Sequence, residues 1–387
     1  MAWKMLLARA KRGILMKILM LLSNPFMVDP RVYKEAKTLI EAGHEVTVVV
    51  WDRKGEYGEG SIVEGIRVVR IHNTGLMRLA YHDLFRNPFW WRRAYSKGME
   101  IYKQGFKFDV VHCHDLDTLQ SGVWLKRKLN CKLVYDAHEI FGYMIEENMP
   151  GSVCRFALRM EKKLVEHVDS MITVDEPFRD YFESIAGCPV TIVKNCKDMV
   201  YDGYQAPKND AFTLIYIGIM NKGRFFPEII DIVRELQDVR LVLAGKKEGL
   251  FFEMKEYVKG MDDITFLGTI PTDEIIPRTR DADATFVLVD PTSRQNQKTV
   301  YNKQFEAMVC GRPIIVTDGT FAAEMTRCNR CGLVVDFTKD SVKEAIERLR
   351  DDPELAETLG RNGFKVAKKR YNWDKEKQNL LDVYDGS

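Results

Sequence analysis

His112, His114 and His138 stand in sequence beside Asp115, Asp117 and Glu139. Imidazoles next to carboxylates can move protons, hold charge or take a metal. A lone histidine at a strand end is often just a hydrogen-bonded loop residue. Several converging on one sheet edge point to a site, because ligands of open α/β sheets bind at the carboxyl ends of strands. Asp115-Leu-Asp117 is also a D-x-D string, which can hold a divalent cation through carboxylate oxygens. It precedes a helix, so either aspartate can equally be a cap. His112, His114 and Asp115 could form a metal cluster, but positions 112 and 114 of a strand share a face without an obvious fourth ligand. Asp29-Pro30-Arg31, in the loop after the first strand, adds a further charged pair.

A second constellation lies in Asn302–Glu324, NKQFEAMVCGRPIIVTDGTFAAE. It reads as a short helix, a turn, a buried strand and a second helix start. Asn302 is expected at the N-cap, where free amides and the helix dipole attract an anion and Lys303 adds charge. Glu306 falls one turn on, on the same face, so it can accept from hydroxyls or simply pair with Lys303. Gly311 ends the helix and Pro313 prevents its resumption. Pro313–Thr317 is an apolar run expected of a buried parallel strand. Upstream, Gly218-Ile-Met-Asn-Lys-Gly-Arg224 follows another strand and offers Lys222 and Arg224 in a glycine-bearing loop. An anion cradle, a hydroxyl-binding carboxylate and a second glycine loop together suit a sugar nucleotide. The loops for dinucleotide oxidoreduction and P-loop hydrolysis are missing.

These residues need a scaffold, and the chain has one. Its 387 residues suffice for two domains. Hydrophobic residues are 45%, charged residues 29% and net charge +2, so the composition is ordinarily globular and argues against wholesale nucleic-acid binding. Eight scattered cysteines give no zinc framework and read as reduced core residues of a cytoplasmic protein, with a disulfide at Cys328/Cys331 a minor alternative. No run approaches a membrane span. Residues 1–15 read as an extension before a first strand at Met16–Leu22.

Strand-like runs alternate with helical patterns throughout, which predicts α/β layers with parallel sheets. Asp29 is placed to cap a helix with Val32, Ala36, Leu39 and Ile40 on one face. The region 74–107 reads as less regular, with Phe85, Arg86, Phe89, Trp90, Trp91, Arg92 and Arg93 crowded together. That stretch either contacts an anionic membrane surface or packs its rings inward with arginines outside. Strands are expected at 109–114, 131–135, 170–174 and 190–194, and again at 212–218, 239–245, 264–268, 285–290, 313–317 and 332–336. Residues 340–370 read as helical, with apolar residues at helical spacing. The division is 1–15 extension, 16–195 first domain, 196–211 linker, 212–370 second domain and 371–387 a final helix.

The run Phe305–Gly319, F-E-A-M-x-x-G-x-P-I-I-V-T-D-x-G, resembles the donor-binding signature of the GT-B glycosyltransferases, in particular retaining family 4. VVHCHDLDTL and YDAHE resemble segments that face the interdomain cleft of that family. The resemblance covers the chain after residue 15 and implies two Rossmann-like domains, with the last helix crossing back to the first. It implies that His138 lies near the reacting carbon, with Asp115 as a catalytic partner and Asp29, Arg31, His114 and Glu139 on the acceptor side. It implies donor contacts from Gly218, Lys222, Arg224, Lys303 and Glu306. The co-substrate is a UDP- or GDP-type sugar, with no metal cofactor. The acceptor is a lipid-linked molecule or glycan precursor, reached from the cytoplasm or the inner face of the membrane. Many relatives carry a glutamate where this chain has Lys298. Two alternatives stay open: a nucleotide-sugar epimerase of similar fold, and a non-catalytic nucleotide-sugar-binding subunit.

Overall fold

The structure is a computed structural model and describes residues 15–27, 29–74 and 83–385, the side chains of 83–85 excepted. Fourteen of those residues' segments are strands, in two sheets. The chain divides into two compact units. One runs to Lys194 and resumes at Lys377; the other is Asn195–Glu376. The expected extension, residues 1–15, lies outside the described residues except for Leu15.

The first sheet contains β1 (Lys17–Leu22), β2 (Glu45–Asp52), β3 (Gly60–Val63), β4 (Ile66–His72), β5 (Val110–His114), β6 (Lys132–Ala137), β7 (Ser170–Thr173) and β8 (Val190–Ile192). Their order is β3-β4-β2-β1-β5-β6-β7-β8. All neighbours are parallel except the edge pair β3/β4. β1 is an apolar run and β5 is buried throughout, with His112 and His114 sharing one of its faces. The order reverses between β1 and β5, so the turns after those strands flank the usual ligand crevice.

The second sheet contains β9 (Phe212–Ile217), β10 (Val239–Ala244), β11 (Ile264–Gly268), β12 (Ala284–Val287), β13 (Ile314–Thr317) and β14 (Gly332–Val335), in the order β11-β10-β9-β12-β13-β14. All pairs are parallel. Here the reversal falls between β9 and β12.

Several expectations need correction. The region 74–107 contains a 21-residue helix, Asp83–Lys103, with Pro88 inside it. Trp90 of that helix is fully buried and stacks on Trp51 at 5.3 Å. Phe89 and Trp91 pack against the same core, and Arg93 donates to the His72 carbonyl. Phe89, Trp90 and Trp91 thus pack toward the core, which is the second of the two readings of this stretch. The stretch 340–370 is helical as expected, in two helices, Lys339–Asp351 and Pro353–Lys369. Asp352 caps the second, and Pro353, which lacks an amide hydrogen, breaks the first. Residues 196–211 carry no helix or strand, yet Cys196 is buried among Phe305, Met308 and Val309 of the second unit. All eight cysteines are thiols.

Candidate active site

In the first unit the Pro30–Glu41 helix begins as Asp29 accepts from the Val32 amide at 3.2 Å. Asn24 also donates to Asp29. Asp29 is thus occupied as a cap and does not join the charged cluster. Arg31, the second residue of that helix, is buried. Its Nε meets Glu35 Oε1 at 2.9 Å, and its Nη2 meets Asp136 Oδ1 at 3.0 Å. Its Nη1 donates to the Val193 carbonyl. One guanidinium so ties the helix to the ends of β6 and β8.

Asp136 is the hub. His114 Nδ1 lies 3.5 Å and His112 Nε2 3.6 Å from its Oδ2. His138 Nε2 approaches the same oxygen at 3.3 Å, while His138 Nδ1 lies 3.3 Å from Asp115 Oδ2. The His138 amide also donates to Asp115 Oδ1 at 3.0 Å. Asp115 has φ 60° and makes no cap bond through its side chain. The cap reading of Asp115 is therefore replaced: the residue is held in a strained, left-handed backbone state that aims its carboxylate at His138. Tyr384, from the Trp373–Asp385 helix, completes the set, its hydroxyl 2.6 Å from His112 Nδ1.

The electrostatics sort these groups. Burial opposes charge on Asp136, but Arg31 and His138 hold its carboxyl well below the ordinary range. Burial likewise opposes charge on His138, yet Asp115 and Asp136 hold its imidazole well above the usual value. Both ring nitrogens face carboxylates at 3.3 Å, an arrangement that favours the imidazolium form. Burial pushes His112 down to about 4, with His114 adding to it. Burial raises Glu35 well above the usual carboxyl range, with Asp136 next. Glu139, half-buried beside His138, is pushed up to about 8 by burial and by Asp115.

Sequence reasoning missed Glu35, Asp136 and Tyr384. It also gave the histidines no fourth metal partner. Glu35, His112, His114 and Asp136 in fact place candidate ligand atoms within 4.8 Å of one another. Asp115 belongs to a different pair. The positive charge on the two carboxylates is already supplied, because Arg31 binds both.

In the second unit the β9 turn and the Asn302–Cys310 helix meet. Asn302 is the first helical residue and Tyr301 the cap, so the predicted side-chain cap at Asn302 is absent. The Gln304 amide donates to the Tyr301 carbonyl at 2.9 Å, and no side chain caps the helix. Lys303 lays its ammonium 4.4 Å from the Tyr216 ring centre. Burial lowers its pKa, and the nearby Arg224 lowers it further. Among the described residues Lys303 has no carboxylate ion pair. Arg224 stands 5.6 Å from the Tyr301 ring, and Arg224, Lys303, Tyr216 and Tyr301 line one small pocket with β12. Gly218 makes the approach feasible: a Cβ there would lie 2.6 Å from Lys303 Nζ. Lys222, in the same short turn as Arg224, is exposed and does not line that pocket. Glu306 is buried and paired with Lys197 at 3.0 Å rather than with Lys303. Lys298 sits half-buried in the loop before the helix.

Two cations and a bare glycine thus stand at one topological switch point, and a buried histidine–carboxylate network stands at the other. Residues 28–196 match the glycosyl transferase 4-like domain, and residues 211–352 match the glycosyl transferases group 1 family. The chain is a glycosyltransferase of the GT-B fold. It is 28% identical to spore coat protein SA of Bacillus subtilis over 386 residues, covering 92% of this chain and 94% of that one. It is 28% identical over 193 residues to the capsular polysaccharide biosynthesis glycosyltransferase CapM of Staphylococcus aureus, 47% of this chain and 48% of that one. In fold the transferase is similar to sucrose-phosphate synthase from Thermosynechococcus elongatus, with TM-score 0.79, 16% identity and 96% and 98% coverage. It is also similar to Anabaena HepE in complex with UDP-glucose, with TM-score 0.71, 16% identity and 96% and 100% coverage. No helix among the described residues is long and apolar enough to cross a membrane.

Proposed function

We propose that this transferase takes a sugar from a UDP- or GDP-type sugar bound by the second unit. It passes the sugar, with retention, to a hydroxyl of a lipid-linked acceptor or glycan precursor bound by the first. The observation that carries the reading is the Lys303 ammonium set beside Arg224 in one small pocket, over a glycine whose side chain would displace it. Two cations set side by side repel one another, and an anion between them relieves that repulsion; a diphosphate is such an anion. With that charge supplied by the chain, the departing diphosphate is stabilised electrostatically and the reading needs no metal. Solved neighbours carrying UDP or UDP-glucose make uridine the first base to try. His138, held cationic by Asp115 and Asp136, is assigned to transition-state charge, and Glu139, Arg31 and His114 to the acceptor side. Eight free thiols, most of them buried, support a cytoplasmic location.

The test is calorimetric binding of UDP, GDP, ADP and CMP to the protein and to Lys303→Met and Glu306→Ala. One nucleotide should bind, weakened at least ~10-fold by Lys303→Met. No binding by any of the four refutes the donor site. Proton NMR of the product then reads the anomer: a retained configuration supports the mechanism, and an inverted one refutes it.

A further inference from the structure

Glu306 is expected to accept from hydroxyls of the donor, yet only 7% of its side chain is exposed. A carboxylate taken out of water needs a compensating charge; without one it takes up a proton, and an accepting oxygen becomes a donor. The charge comes from Lys197, whose Nζ lies 3.0 Å from Glu306 Oε1. Lys197 stands outside the Asn302–Cys310 helix, near the start of the second unit, in the stretch that the sequence marks as linker.

Two contacts fix the backbone at Lys197. Its neighbour Cys196 is buried among Phe305, Met308 and Val309, on the helix that carries Glu306. The Lys197 carbonyl accepts from the Trp373 amide at 3.1 Å. The ammonium therefore reaches Glu306 from a pinned backbone. Along the same helix, Lys303 lies one turn before Glu306 and lines the small pocket with Arg224. A nucleoside diphosphate whose phosphates meet those cations has its ribose as the next group along. A carboxylate accepts at two oxygens, so pairing with one ammonium leaves it able to accept from a ribose hydroxyl.

We propose that Lys197 is a positioning residue of the donor site: it keeps the Glu306 carboxylate ionised and aimed, so that Glu306 accepts from the ribose hydroxyls of the nucleotide. This rests on the donor reading above and assigns its discrimination for ribose to a residue outside the helix.

The experiment is calorimetry on the full chain with UDP and GDP and with their 2′,3′-dideoxy counterparts, which keep the diphosphate and lack the hydroxyls. The parent should bind the ribose form of its nucleotide ~10-fold more tightly than the dideoxy form, the worth of a hydrogen bond to a charged acceptor. Lys197→Met should erase that preference and leave dideoxy binding unchanged, which also reports that the variant is folded. In a Glu306→Ala background, Lys197→Met should change nothing further, because the lysine acts through that carboxylate. Equal weakening of both forms by Lys197→Met, or no change in either, marks a purely structural pair and overturns the proposal. A parent that does not discriminate overturns it too. So does a Lys197→Met variant that binds the ribose form more tightly, since the lysine then competes for the carboxylate. In all these cases the donor reading stands. If none of the four nucleotides binds the parent, the donor reading itself fails, and the assignment of Lys197 falls with it.

Discussion

Single groups decide the charge state of both sites. Gly218→Ala puts a methyl where Lys303 Nζ stands. The ammonium is the far end of a flexible side chain, so the fold yields cheaply while the anion contact moves. We expect nucleotide affinity to fall ~10-fold with the melting temperature nearly unchanged, read by calorimetry and thermal melting. His138 should show imidazolium ring nitrogens at pH 7 by ¹⁵N NMR, whereas His112, pushed down to about 4, should be neutral. A neutral His138 at that pH would contradict the two-carboxylate clamp. Glu161 offers a stability test away from the site. Its carboxyl accepts from the Tyr135 hydroxyl and is pushed up to about 8 by burial. A carboxyl raised above its unfolded value of 4.5 favours the folded chain when protonated. Its contribution is whole below pH 4.5 and is lost as pH rises toward 8. Glu161→Gln should therefore flatten the loss of stability between pH 5 and 8, an effect of at most about 5 kcal/mol.

The elements were readable where one periodicity ruled. Alternation of buried runs with helical faces placed nearly every parallel strand within two residues, because a strand covered on both sides is a plain apolar run. The Pro30–Glu41 helix was found by its apolar face, but Glu35 lies inside that buried face, and a charge there looks like a solvated neighbour in sequence. Asp136 hides for the same reason, as the one acid in the buried strand β6. Only the tertiary approach of Arg31 gives either a partner. The Asp83–Lys103 helix was obscured by Pro88 and by aromatics whose core-facing role depends on Trp51, far away in sequence. The antiparallel edge strand β3 is short and exposed in alternation and left no strong run. One prediction belongs to this scale. Asp29→Ala removes a helix cap and should cost about 1 kcal/mol in denaturant unfolding without altering the ¹⁵N signature of His138. A changed histidine signature would restore Asp29 to the cluster.

At the scale of the molecule, the first unit is discontinuous: it contains the chain from Lys377 onward as well as its first 194 residues. Leu380, Val383 and Tyr384 of that return segment are buried. Deleting 377–385 should remove on the order of 5 kcal/mol of apolar burial from the first unit. Hydrogen exchange should then quicken in β1 and β5, while UDP binding by the second unit persists. Unchanged exchange in those strands would show that the return segment is dispensable. The deletion also takes away the phenol that meets His112 Nδ1, leaving a buried ring nitrogen without that partner.

This return has a consequence in time. Domains are usually assembled from the N-terminus as the ribosome delivers them. Here the segments that carry Arg31, His112, Asp136 and His138 are made before the second unit, but the tyrosine that closes their network is made after it. The nascent first unit must wait through the synthesis of an entire second unit before its histidine cluster is sealed. During that interval it has a gap at Leu380, Val383 and Tyr384, a stretch of apolar surface that chaperones recognise and that the finished chain hides.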